Sequence, residues 1–180
     1  MKHLFIALLI LLNSACSTPS NKQAALHDFG VYTPPTGKQT GIKADITVES
    51  PEWLGNQCIQ YRLLYSEPTR LRCYNLDQWI APPTELFKQQ LLTSAIPIKQ
   101  RLHIQILNFE QQFDAPKQAR VVLTLVVNAY QPQTDRLIAS QTFQLQQTTA
   151  SPDAAGAVTA FAHLTQQANI KIQLWLQSLG

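Results

Sequence analysis

"RVVLTLVVNAY", Arg120 to Tyr130, is the stretch whose reading decides the fold. Its odd positions, Val121, Leu123, Leu125, Val127 and Ala129, are all apolar, and β-branched residues dominate it. Such residues fit a pleated surface, and a period of two predicts a strand with one face on a core. "QPQTD", 131–135, then turns the chain, and Leu137, Ala139, Phe143 and Leu145 predict one face of the next strand. Upstream, Leu102, Ile104 and Ile106 alternate on even numbers, whereas Leu107, Phe109 and Phe113 continue the apolar set on odd ones. A one-residue change of phase predicts a β-bulge. Three successive strands joined by short turns predict an antiparallel meander.

A meander with one apolar face needs a cover. After Ser151, read as an N-cap, Pro152 at the first helical position and Asp153 near the positive helix end open a long helix. Ala154, Val158, Phe161, Ala168, Ile172, Trp175 and Leu179 recur at three- or four-residue multiples, so that stripe, Trp175 included, is assigned to the core. "QWIAPPTELFKQQLLTSA" predicts a second helix, entered at Pro82-Pro83, with Leu86, Phe87, Gln90, Leu91 and Ser94 on one side. Nearer the N-terminus, Ala44, Ile46 and Val48 read as a half-buried strand. Ile59, Tyr61, Leu63 and Tyr65 read as another, with Gln60 and Arg62 on its opposite face. "SEPT" makes a turn and Leu71 to Tyr74 returns, while Leu26, Phe29, Val31 and Tyr32 predict a short edge strand. The predicted class is α+β: a mostly antiparallel sheet with two helices on one face, the long one C-terminal.

The chain opens with "MKHLFIALLILLNSACSTPS". One lysine precedes an apolar run from Leu4 to Leu12, which spans about 14 Å as a helix against roughly 30 Å of bilayer hydrocarbon. That run fits the core of a secretory signal. Ser14 and Ala15 are small, Cys16 follows, and Asn13 stands where a lipobox usually has leucine. Residues 1–15 are therefore read as a signal peptide, Cys16 as a lipid-modified first residue, and 16–25 as a flexible tether. The domain is set at 26–180. The alternative is ordinary signal-peptidase cleavage, giving a soluble periplasmic protein.

Lys and Arg total 14 against 11 acidic residues, a formal net charge of +3. No basic run or basic-aromatic stripe occurs, which argues against nucleic acid. His27, His103 and His163 lie far apart and form no metal-ligand spacing; His103 and His163 read as solvated. No phosphate-cradling glycine loop, nucleophile elbow or paired carboxylate is present. The expectation is no catalytic residues, no metal and no cofactor. Cys58 and Cys73 remain, and two cysteines in an oxidising compartment point to a disulfide. A tight turn at Glu67-Pro68 would set Cys58 opposite Asp77 and Cys73 opposite Arg62, so a direct bridge needs a bulge or another turn. The alternative is two separate buried thiols.

From "HDFG" through "SPEWLGNQCIQYRLLYSEPTRLRCYNLDQWIAPPTELFKQQL" to "SPDAAGAV" the chain resembles the ABC-type transport auxiliary lipoproteins. That family includes the lipoprotein of the paraquat-inducible intermembrane transport system. The resemblance lies in Pro51 and Leu54, Tyr61-Arg62, "YNLDQW", and Trp79 leading to Pro82. It implies a non-enzymatic accessory, lipid-anchored on the periplasmic face of the outer membrane. The implied partners are a mammalian-cell-entry type substrate-binding protein and its ABC permease and ATPase, which move lipid between membranes; homo-oligomers are also open. The alternative class is an envelope structural or assembly lipoprotein that binds protein or peptidoglycan. Trp53, Tyr61, Arg62 and Trp79 are the candidate partner contacts, since Trp, Tyr and Arg are enriched at interface centres. For Tyr61 and Trp79 the simpler reading is core, and Arg62 is the stronger functional candidate.

Overall fold

The computed structural model describes residues 23–30, 45–93, 98–134 and 136–179. The signal segment, Cys16, most of the tether, Val31, Tyr32, Ala44 and Ser94 lie outside the described residues. The elements are β1 (Ala25–His27), β2 (Ile46–Glu49), β3 (Cys58–Leu63), β4 (Glu67–Trp79), α1 (Pro83–Leu92), β5 (Arg101–Ala115), β6 (Gln118–Tyr130), β7 (Leu137–Thr148) and α2 (Ala154–Ser178). A short 3-10 turn, Glu52–Leu54, precedes β3.

The strands form a seven-stranded mixed sheet in the order β1-β4-β3-β5-β6-β7, with β2 also on β5. β3–β4, β5–β6 and β6–β7 are antiparallel, whereas β1–β4, β2–β5 and β3–β5 are parallel. The architecture is the predicted α+β one, including the meander and the long C-terminal helix. Val121, Leu123, Leu125, Val127 and Ala129 are all fully buried, with Phe161, Leu164, Ala168 and Ile172 of α2 in the same core. Leu86, Phe87 and Leu91 of α1 complete it. Burying one such aliphatic or aromatic side chain is worth about 1.5–3 kcal/mol, so this single cluster holds the two helices to the sheet.

The bulge in β5 falls between Ile106 and Asn108, as the change of phase predicts. It has a topological purpose. Before it, Leu102 to Gln105 pair with β2; after it, Gln111 to Phe113 pair with β3. The bulge re-aims the strand where its neighbour changes. Leu107 is the extra residue and is exposed, so it leaves the apolar face assigned from spacing. Leu137 departs likewise: a register shift at the start of β7 sets it beside Tyr130, and it stands half exposed. Trp175 is only partly buried and meets Phe143 edge-on at 5.9 Å, at the rim of the core.

The helix start differs by two residues from the expected one. Asp153, not Ser151, is the N-cap of α2: its Oδ1 accepts from the Gly156 N–H at 2.8 Å and from the Ser151 hydroxyl at 2.6 Å. An added Cβ on Gly156 would lie 2.1 Å from the Ser151 carbonyl oxygen, so the chain folds back onto the first turn only with glycine there. The Ser151 hydroxyl and the Gly156 N–H hold the Asp153 carboxyl below its ordinary range. Its contribution to stability is therefore complete above the unfolded value, near about 3.9, and is lost as pH falls through the lower folded value. Asp153→Ala is expected to cost about 1 kcal/mol at neutral pH, as lost caps do. Urea unfolding of both proteins against pH checks this: the gap closes on acidification, and a pH-independent gap would reject it.

Candidate partner-binding surface

The four side chains expected to meet a partner start on neighbouring elements and end in different environments. Trp79 closes β4 and is fully buried. Phe29 (5.2 Å between ring centroids), Phe161 (5.7 Å) and Phe109 (5.9 Å) surround it, and Phe109 stacks on Phe161 at 4.1 Å. A ring with no exposed surface offers a partner nothing, so Trp79 leaves the candidate set. Tyr61 lies on the core-side face of β3, partly buried, against Tyr74 at 4.6 Å and Phe113 at 5.9 Å. Tyr74 donates to Gln111 Oε1 at 2.7 Å, and burial pushes its phenol pKa upward. Gln111, itself fully buried, donates to the Asp153 carbonyl at 3.4 Å, tying β4 and β5 to the start of α2.

Arg62 points to the other face of β3, as expected, but it is engaged within the fold. Its Nε donates to both Glu110 oxygens, at 3.1 and 3.2 Å, and its Nη2 to Oε2 at 3.0 Å. Nη1 donates to the Pro68 carbonyl at 3.0 Å, which fixes the β3–β4 connection. The Glu110 side chain is 3 % exposed and that of Arg62 21 %. Gln112 donates to Glu110 Oε1 at 2.7 Å, and Arg120 reaches both Gln112 Oε1 and Asp114. Charge-assisted bonds of this fork-on-carboxylate kind fix geometry. Here they lace β3, β5 and β6 together on the face away from the helices. In the first half of β4, Arg72 hydrogen-bonds Glu67 and holds its carboxyl below the usual carboxylate range.

Trp53 is the most exposed of the four candidates, at 44 %. Its carbonyl accepts from Gln60 Nε2 at 2.7 Å, so the 3-10 turn is pinned to β3 while Leu54 beside it enters the core. The chain just beyond it reaches the same end of the sheet: Gln57 donates to the Ile80 carbonyl at 3.0 Å, and Ile80 N–H donates to the His27 carbonyl at 2.8 Å. Leu26 and Ile80 are more than half exposed there, and residue spacing had not marked either as a contact. They line a groove of about 430 Å³ with His27, Val158, Thr159 and His163. His27 is paired with Asp77 at 2.9 Å, and His103 with Glu49 at 3.1 Å. Among the described residues no three or more His, Cys, Asp or Glu side chains come together to hold a metal ion. No described helix is long and apolar enough to cross a membrane.

Cys58 and Cys73 are joined in a disulfide, with Cα atoms 5.6 Å apart and a sequence separation of 15. The geometric obstacle read from the sequence is removed by both routes. The turn falls at Leu64–Ser66, setting Cys73 opposite Gln60 rather than Arg62. The register then shifts, so that Cys58 lies opposite Gln78. Tyr74 to Asp77 are thus spanned by Ile59 alone on the partner strand, and the bridge closes the mouth of this wide bulge. A disulfide of this kind persists outside the reducing cytosol and fits an extracytoplasmic domain.

These features define an α+β domain whose charged and aromatic residues brace the sheet, with an apolar edge at β1 and β4 left to solvent. No family model matches the chain, and no curated protein does. Among solved structures, protein XCC0632 from Xanthomonas campestris, described as DUF330, has a similar fold at a TM-score of 0.70. It is 18 % identical, and the match covers 87 % of this chain and 97 % of that one. A second structure, of an uncharacterised protein, matches at a TM-score of 0.57 and 12 % identity, over 86 % of this chain and 99 % of that one.

Proposed function

We propose that this chain is a non-enzymatic accessory lipoprotein of an ABC-type, mammalian-cell-entry protein-containing system that moves lipid between the inner and outer membranes. The observation that carries the reading is the likeness of fold to the DUF330 protein over 87 % of this chain. It agrees with where the resembling sequence elements fall. Leu54, Tyr61, Arg62 and Trp79 are bracing residues of the β3–β4 region, so the resemblance is one of framework, spread over the sheet rather than confined to a site. Cys16 would carry the lipid at the periplasmic face of the outer membrane, and 16–24 would lead to β1. Trp53, Leu26 and Ile80 are the side chains this reading offers to the protein partner.

Affinity purification from crosslinked envelope membranes tests the assignment. A permease, an ATPase and a mammalian-cell-entry protein are expected to co-purify, and recovery without any of them rejects the transport role. Cys16→Ser tests the anchor separately. The variant is expected to move to the soluble periplasmic fraction or to stay unprocessed; unchanged membrane fractionation and processing would overturn lipidation at this position.

A further inference from the structure

The two ends of the sheet are built differently. At one end β1 is three residues long and is followed at once by Asp28, which leaves little backbone to pair with anything further. At the other end stands β7, twelve residues, "LIASQTFQLQQT", whose outer edge pairs with no described strand. Sheet edges are normally blunted by lysine, proline, inward charge or bulges. β7 has no charged residue, no proline and no glycine. Its one irregularity lies at its start, and from Ala139 to Thr148 the register with β6 is unbroken. Ser140, Thr142, Gln144, Gln146 and Thr148 are all exposed on the face away from the helices.

We infer that β7 is a self-association edge, pairing antiparallel with β7 of a second copy across a two-fold axis. An open row of backbone N–H and C=O groups specifies an extended strand as its occupant. The composition selects a second copy. No like charges meet in any antiparallel register of β7 on itself, and a two-fold at Gln144 sets Thr142 opposite Gln146 and Ser140 opposite Thr148, where cross-strand hydrogen bonds form. Ten residues at about 3.3 Å each give a paired edge of roughly 33 Å. The blunt β1 end means that such pairing closes at two copies instead of running on as a fibre. The inference stands apart from the transport assignment, since it uses only the edge.

Cysteine scanning of the full chain in its own envelope tests it: the native pair Cys58–Cys73 is already bonded, and the parent chain, which keeps Cys16, gives the background crosslink. Single cysteines are placed at each position from Ser140 to Gln146 and oxidised. The expected result is a covalent dimer of this chain that peaks at one position and falls away on both sides, marking the two-fold. Adding Gln144→Lys and Thr142→Lys, or their unoccupied neighbours, should cut that crosslink on the order of tenfold, with thermal unfolding of the purified variant unchanged. No crosslink at any position, or equal crosslinking at all, overturns the inference. So does a dimer that survives the lysines, or a β7 cysteine that crosslinks only to a different protein.

Discussion

Arg62→Met is expected to destabilise the domain by about 3–5 kcal/mol, the loss seen when one member of a buried ion pair is removed. The reason is Glu110, whose side chain is 3 % exposed. With the guanidinium gone, its carboxylate keeps, among the described residues, the Gln112 amide but no compensating charge. The same change frees the Pro68 carbonyl and slackens the β3–β4 connection. For a domain of this size the melting temperature should fall by roughly 6–20 °C. The companion variant, Arg62→Met with Glu110→Gln, removes the stranded charge and should recover a large part of the loss, giving a coupling energy in a double-mutant cycle. An Arg62→Met protein as stable as its parent would return Arg62 to the partner surface.

Breaking the Cys58–Cys73 bridge is expected to cost about 3 kcal/mol, the chain-entropy value for a loop of roughly 15 residues. The measurement is urea unfolding with and without reductant, set beside the Cys58→Ser, Cys73→Ser double variant. Both routes should give the same loss. The bridge closes the mouth of the bulge, so the local effect should be sharper than the global one. Hydrogen exchange should rise first at Tyr74 to Gln78 and at β1, which pairs with Asp77, Gln78 and Trp79. Unchanged unfolding on reduction would mean that the bulge holds its shape without the bridge.

The two losses rest on residues that were legible in sequence to different degrees. The cysteine pair was visible at once, because only three cysteines occur and two fall on neighbouring predicted strands. Its geometry was not, since the register depends on where the β3–β4 turn falls, and Leu64–Ser66 competes with "SEPT" for that place. Arg62 was placed on the correct face by alternation. Its partner was hidden, because Glu110 lies 48 positions away and on a strand whose phase is altered by the bulge. The exposed edge formed by Leu26 and Ile80 escaped notice for a similar reason. Spacing identifies an apolar residue but not whether another layer covers it.

The sequence alone determined the elements whose signal is local and periodic. The alternation of Val121 to Ala129, the change of phase at Leu107 and the helical stripe from Ala154 follow from side-chain geometry within one segment. They suffice for the meander, the covering helices and the α+β class. Only the tertiary structure decided which polar side chains are spent inside the fold and which edges stay open. Arg62 went to Glu110, Trp79 to three phenylalanines, and Trp53 to solvent, because each outcome depends on contacts between segments far apart in the chain. The outer edge of β7, unpaired among the described strands, is of the same kind: its lack of charge is written in the sequence, but that it is an edge is a fact of strand order.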